Sequence, residues 1–501
     1  MLYFSKPATR MDIGLQAMSK PLALNTPVKT VLLCMLVTTF FVACAKEKYV
    51  AKPINAETSS AKIFAKDPLS ADFKAYLIKQ GYKIEEIPFK SWGINQLTSS
   101  ALYHHTKLDV AKAQSALANA QLETAGQRQN PTLSGSLARS NQANGDIRPW
   151  AYGLNVEIPI ETAGKREIRI EEAKHLQAIA RIDVADTAWQ LRSQIAKDLL
   201  RYHENVARQQ LLQQEISKHT EIINMLEKRV AVGALSNTEV IASKLLLQAK
   251  TDALSAEQAA SQAIVASLAT DAGLTLEKFN QIPIRPLEIE TTLVKQTQTV
   301  GAEAFKTLQE KALLNRLDIR RGLEKYAAAE AKIKLEVAKQ TPDISITPGF
   351  IFDFGDKIWS LGISSLLNLL NTIQLNTSQT LIAEATQLRE IEGAQFEALQ
   401  AKTIGDLSIA NADYVAAQQN LAKAKQQQSA QQAYMQKLNK QFAAGALDRL
   451  ALSQATLLAQ LADTQLQASQ FAVLSAANEI EDVMQYPLFD EAVKQLNWLS
   501  E

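Results

Sequence analysis

The 501-residue chain has a net charge of +1 and only 6% aromatic residues. A charge so nearly balanced offers no polybasic surface for nucleic acid, and so few rings suit extended helical packing better than a bulky globular core. Its two cysteines are Cys34 and Cys44. Neither a disulfide framework nor a cysteine-based metal site is expected in the mature chain.

Val31–Ala43 is an apolar and small-polar run preceded by Lys20 and Lys29. It is short for a bilayer span and has the size of a signal-peptide core. It closes on Phe41-Val-Ala-Cys44, which resembles a bacterial lipobox with Phe in place of the usual Leu. That resemblance implies lipidation (palmitate) at Cys44 and, with Ala45 following, an outer-membrane destination. The rival is plain cleavage after Ala45. Met18 is an alternative start to Met1. After residue 45 no run of 18 apolar residues occurs, so no transmembrane helix is expected.

Five segments follow: signal peptide 1–43, an ordered but irregular arm 44–91, a first repeat 92–304, a second repeat 305–486 and a tail 487–501. Ile94–Arg128 has helical apolar spacing and stops at Asn130-Pro131. Strands are expected over 132–140 and 150–160. In the second, Trp150, Tyr152, Leu154, Val156 and Ile158 alternate with Ala151, Gly153, Asn155 and Glu157, the period of a strand with one apolar and one polar face. Lys165–Val232 lacks both Pro and Gly, and Val184, Ala188, Leu191, Ile195, Leu199, Tyr202 and Val206 draw a coiled-coil-like seam. The break at 233–236 carries Gly233, Ala234 and Leu235. A return helix spans Asn237–Ala272, and Thr275–Gln298 is a small mixed patch.

The order then recurs. A helix is expected over Phe305–Lys339, strands over 343–354 and 358–365 around Gly355-Asp-Lys357, and a long helix over Leu375–Phe442. A second break at 445–448 carries Gly445, Ala446 and Leu447, and the return helix spans Arg449–Met484. Pro131 matches Pro342 and Gly233 matches Gly445, offsets of 211 and 212 residues. An internal duplication follows.

The expected fold is mainly α with a small β part: long antiparallel coiled-coil helices and four strands per protomer. Four strands cannot close a barrel, and an open edge in lipid leaves backbone groups unpaired. Three copies would supply a 12-stranded transmembrane β-barrel wide enough for a lumen. Asn155, Glu157, Ser345 and Asp353, with Gly153 and Thr347, are then lumen candidates; Trp150 and Trp359 are interface anchors.

The duplicated order, the Gly-Ala-Leu tips, Asn315-Arg316-Leu-Asp318-Ile319 and the Pro stops resemble the outer membrane efflux protein (TolC-like) family over residues 90–486. Pro159-Ile-Glu-Thr-Ala-Gly-Lys-Arg166 resembles a segment of its heavy-metal (cobalt–zinc–cadmium) branch. The resemblance implies a homotrimeric channel-tunnel in outer-membrane lipid, with a long periplasmic helical part. It also implies docking on a periplasmic adaptor (membrane fusion protein) and an inner-membrane pump of the resistance-nodulation-division type. The family places a gating acid six residues after the tip Gly. That is Glu239 in the first repeat; Ala451 departs from it in the second, leaving Asp448 and Arg449 as gate candidates. Asp448 also suits a helix N-cap.

No catalytic constellation, phosphate-cradling loop or cofactor site is found. His104, His105, His175, His203 and His219 have no metal-ligand spacing and are expected to be solvated or tube-lining. Lys165 and Arg166 are expected to be solvated charges. The function expected is a passive exit duct for heavy-metal cations. The alternatives are a duct for drugs or other small molecules, and a periplasmic coiled-coil structural or adaptor-like protein with a soluble β domain.

Overall fold

The computed structural model describes residues 49–141, 149–299, 302–365 and 372–488. The signal peptide, Cys44, the 142–148 turn and the end of the tail lie outside these residues. The chain divides into a unit ending at Ser60 and a second unit from Ala61 onward. The described part of the first unit has no regular secondary structure before it enters helix α1 (Ala56–Phe64), in which the boundary falls.

The second unit continues with α2 (Ala71–Lys79), so the arm expected to be irregular carries two short α-helices between stretches that are not α-helical. Ser70 caps it by accepting from the Phe73 N–H, and Phe73 and Leu77 are buried. The single helix expected over 94–128 is two: α3 (Ile94–His104) and α4 (Thr106–Ala125). The same correction applies to 305–339, which forms α9 (Ala302–Asn315) and α10 (Leu317–Ala338). The breaks at His105 and Arg316 stand at the offset of Pro131 and Pro342, so the interruption is part of the repeated pattern. Apolar periodicity runs through both breaks, which is why the sequence conceals them.

Strands β1 (Thr132–Arg139) and β2 (Trp150–Ile160) lead into α5 (Lys165–Ala231), 67 residues long and roughly 100 Å at the helical rise. Helix α6 (Asn237–Asp271) returns. The mixed patch resolves into α7 (Leu276–Phe279) and α8 (Ile289–Thr299). Strands β3 (Ile344–Asp353) and β4 (Asp356–Ser365) precede α11 (Thr372–Ala443) and α12 (Arg449–Met484). The β3–β4 turn is Phe354-Gly355, one step earlier than expected, and both residues have positive φ. A two-residue hairpin turn requires this to match the strand twist.

The four strands form one antiparallel sheet in the order β1-β2-β3-β4. Helix neighbours follow the same order. On the side of α5 nearer the sheet they run α4-α5-α10-α11, and beyond the breaks α6-α5-α12-α11. Each repeat therefore lays its own elements side by side, and the two meet along α5 with α10 and α12.

Two apolar cores sit at the level of the breaks. Phe73, Leu97, Ile195, Leu268 and Phe279 anchor the first; Leu308, Leu407, Tyr414, Phe471 and Ile480 anchor the second. Ala188, Leu191 and Ile195 of the seam read from sequence are buried in the first core, with Val184, Leu199 and Tyr202 against it.

Gly273 closes α6 at φ +74, and a Cβ there would stand 2.8 Å from the His104 carbonyl carbon and the His105 nitrogen. Backbone on both sides leaves nothing to yield. Gly273→Ala is expected to cost about 1–3 kcal/mol, strain and clash together. Gly233→Ala, at φ +72 in open space, meets the left-handed strain without the clash and is expected to cost less than Gly273→Ala, about 1–2 kcal/mol. Denaturant unfolding of the two variants tests the order.

Candidate functional site

Three places carry the polar chemistry of the chain: the sheet, the joints where the repeats meet, and the two helical tips. In the sheet, cross-strand partners share a face. Asn155 stands opposite Ser134 and Gly349, Glu157 opposite Thr132, Ser345 opposite Pro159 and Ser364, and Asp353 opposite Asp356. All four candidates lie on one face, among Ser, Thr, Gly and a few small or apolar residues. Asn155 lies flat across its partner: a Cβ at Gly349 would fall 2.1 Å from Asn155 Oδ1. The glycine is what gives that amide its place.

The opposite face carries Leu137, Tyr152 and Phe352 in one register row, and Leu154, Phe350 and Trp359 in the next. The Tyr152 and Phe352 rings stack at 4.9 Å. No second layer covers this face among the described residues, and Trp359 is 81% exposed.

At the sheet–helix junction Lys165 is buried, not solvated as expected. Its Nζ donates to Asp343 Oδ1 at 2.7 Å and to the Thr341 carbonyl at 2.6 Å. The Thr162 N–H also donates to Asp343, and its hydroxyl donates to the Pro342 carbonyl at 2.8 Å. Although desolvation opposes it, Lys165 and the Thr162 amide hold the Asp343 carboxyl below its usual range. The Pro159–Arg166 segment thus ties the start of α5 to the start of β3. Arg166 remains on the surface beside Glu167 at 3.0 Å.

The second joint is a knot around Arg316. Its guanidinium grips Asp318 through Nε at 2.9 Å and Nη2 at 2.6 Å, and Nη1 donates to the Val483 carbonyl. Gln485, in the left-handed region at φ 48, accepts the Leu317 N–H at 2.8 Å and donates to Asp186 at 3.3 Å. Arg321 reaches Asp186 at 2.6 Å and Asp183 at 2.7 Å. Lower down, Arg192 and Glu481 form a buried pair at 2.6 Å between α5 and α12. Removing one partner of such a pair costs about 3–5 kcal/mol.

The first-repeat joint uses other groups. His105 ends α3 and caps α4, its Nδ1 accepting the Lys107 N–H at 3.1 Å. On α5, Asp198 accepts from Ser267 at 2.5 Å and from Arg201 at 3.1 Å, and it is hydrogen-bonded to Asp271 of α6. Burial, the Asp198 hydrogen bond and its charge push Asp271 up to about 7, while Lys107 pulls the other way. A proton shared between the two carboxyls is therefore expected.

At the tips the two breaks have one geometry. The Gly233 and Ala234 amides donate to Val230 and Arg229, and the Gly445 and Ala446 amides donate to Phe442 and Gln441. This is the Schellman closure with glycine in the left-handed position. Ser236 and Asp448 then cap the return helices. Leu235 and Leu450 join a cluster with Ile222, Leu226 and Val240, seating the second tip on α5.

Asp448 accepts the Ala451 N–H at 2.7 Å and pairs with Arg229 at 3.1 Å; the amide first, then the cation, hold its carboxyl below its usual range. Arg449 reaches Glu221 at 3.3 Å. Glu239 is exposed in the first turn of α6, and among the described residues no ion pair reaches it. Asp448 and Arg449 therefore each pair with a charge on α5, and Glu239 stands apart. Sequence reading missed Arg229 and Glu221, whose role rests on α12 lying beside α5.

The histidines correct another expectation. His104, His105 and His219 are buried, and His175 Nδ1 lies 2.7 Å from Glu324 of α10. Burial pushes His104 and His203 down to about 4. No group of three His, Cys, Asp or Glu is placed to hold a metal ion among the described residues.

Residues 97–274 match the model of the outer membrane efflux protein family. No curated protein sequence matches the chain. Solved structures sharing the fold include the outer membrane protein VceC of Vibrio cholerae, with 16% identity and a TM-score of 0.62 over 79% of this chain and 96% of that one. CusC, described for its transmembrane channel formation, gives 15% and 0.63 over 88% and 100%. The CmeC outer membrane channel of Campylobacter jejuni gives 13% and 0.60 over 91% and 97%.

The Asp198–Asp271 pair sets a sign for pH dependence. Folded, Asp271 binds its proton up to about pH 7; unfolded, it releases it near the ordinary value of 3.8. The stability this proton contributes is complete at low pH and is lost as pH rises through 7. Asp271→Asn is expected to flatten the fall in melting temperature between pH 5 and pH 8. An unchanged slope would show that the pair does not share a proton.

Proposed function

Since the chain belongs to the outer membrane efflux protein family, we propose that it is the outer-membrane exit duct of a tripartite efflux system. One observation carries this reading. The four strands make a single open sheet whose aromatic and aliphatic face has no second layer among the described residues, with Trp359 81% exposed although Phe352 is buried beside Tyr152. Water penalises such a face, whereas hydrocarbon accepts it only when every strand edge is paired.

The ends of the sheet and of the helix rows suggest how the edges pair. β1, α4 and α6 stand at one end, β4 and α11 at the other. Both ends expose apolar side chains, among them Leu245 at 67% and Ile409 at 62%. The two ends differ, so copies would join head to tail and close into a ring. Three copies give twelve strands, with the Asn155–Glu157 face inward. The tips, with Glu239, Asp448 and Arg449, would then form the periplasmic end that meets an adaptor (membrane fusion protein) and a resistance-nodulation-division pump. Acylation at Cys44 would add a lipid anchor. The duct carries no chemistry of its own. Heavy-metal cations are the proposed cargo, on the likeness of Pro159–Arg166 to that branch of the family; drugs or other small molecules are the alternative.

The rival periplasmic coiled-coil reading needs a soluble β domain that buries its apolar face, and this sheet has no second layer among the described residues. Purified from membranes, the protein is expected to run as an SDS-resistant, heat-modifiable trimer in the outer-membrane fraction. A soluble monomer after Cys44→Ser would overturn the duct. Loss of the protein is expected to sensitise cells to zinc, cobalt or cadmium; sensitivity to detergents and dyes alone would overturn the metal cargo.

A further inference from the structure

Charge in the four strands is sorted by sign. Five strand residues are charged: Arg139, Glu157, Asp353, Asp356 and Lys357. Register puts Glu157, Asp353 and Asp356 on the polar face, while Arg139 pairs with Trp150 and Lys357 with Phe352 on the apolar face. Both cations also stand at one end. β1 leaves the helices at Thr132 and ends at Arg139; β4 begins its return at Asp356. Arg139 and Lys357 therefore mark the rim farthest from the helices.

From this sorting we infer that the far rim of the apolar face binds phosphate-bearing lipid headgroups of the outer leaflet, with Arg139 and Lys357 as the anion contacts. The inference rests on the duct reading. Its grounds are position and chemistry. On a lipid-facing surface a cation is costly at mid-depth and nearly free near the interface, and these two cations occupy only the interfacial end. Aromatic rings hold them there. The Arg139 guanidinium lies 5.4 Å from the Trp150 ring centroid, and Phe352, opposite Lys357, stacks on Tyr152. The rings fill the headgroup boundary, while the cations reach from it towards phosphate.

The arrangement is split between the two edge strands. Arg139 is on β1 and Lys357 on β4, three strands apart within one protomer. Ring closure by β4 of one copy on β1 of the next would bring Lys357 beside the partner's Arg139. Each seam of the barrel would then hold a two-cation headgroup site that a single chain lacks.

Native mass spectrometry of the detergent-purified trimer tests this, with bisphosphorylated lipid A and its dephosphorylated form as probes. Wild type is expected to retain the phosphorylated lipid. Arg139→Gln with Lys357→Gln is expected to lower that retention about tenfold or more, at roughly 1 kcal/mol for each cation. Each single change should produce an intermediate loss, and Arg139→Lys with Lys357→Arg should retain binding. Equal retention of the dephosphorylated lipid, or a double variant that still trimerises and binds like wild type, overturns the inference and leaves the duct intact. A wild-type protein that forms no trimer and enters no bilayer overturns both.

Discussion

The edges of a four-stranded sheet are what the molecule has to answer for. Among the described residues, β1 and β4 each have an outer row of amide and carbonyl groups with no intrachain strand beside them. In water such an edge invites adhesion; in hydrocarbon each unpaired group costs several kcal/mol. The helices repeat the condition, ending in exposed apolar rows on α6 and α11. Unfinished sides in both its β and α parts are what the proposed head-to-tail ring requires of a protomer.

Inside the segment, duplication poses a second mechanical problem. Two similar halves with separate apolar cores could slide or fold independently. Polar links across the seam oppose this at every level: Lys165 to Asp343 below the sheet, Asp186 to Arg321 and Gln485 near the breaks, Arg192 to Glu481 beneath them, and Arg229 to Asp448 at the tips. These contacts are directional where apolar contact is not, so they set the register of α10 and α12 along α5, a helix of roughly 100 Å. The four links are spread over the seam's length.

Much of this was legible in the sequence because long-period signals survive without tertiary knowledge. Period-two alternation placed Trp150 and its neighbours in a strand, and the repeat of Pro and Gly-Ala-Leu located the turns. The breaks at His105 and Arg316 were hidden, because Leu102 and Leu108, like Ala312 and Leu317, keep an apolar phase across them. Lys165 read as a surface charge because its partner lies 178 residues away. Arg229 and Glu221 were unreadable for the same reason: their partners lie across a packing of helices that no local pattern encodes. Glu239 was singled out by motif position, and the ionic contacts go elsewhere.

The two breaks, built to one plan, are fastened by unlike groups. At the first, the neutral His105 ring accepts the amide that opens α4; at the second, the Gln485 carboxamide accepts the amide that opens α10. Burial lowers the affinity of His105 for a proton, yet strong acid will still load the ring and cancel its acceptor, whereas the carboxamide is indifferent. A ring of three such chains would contain alternating acid-labile and acid-proof hinges, six around its waist. Acidification would loosen every other one, and what began as approximate sixfold regularity would relax to true threefold.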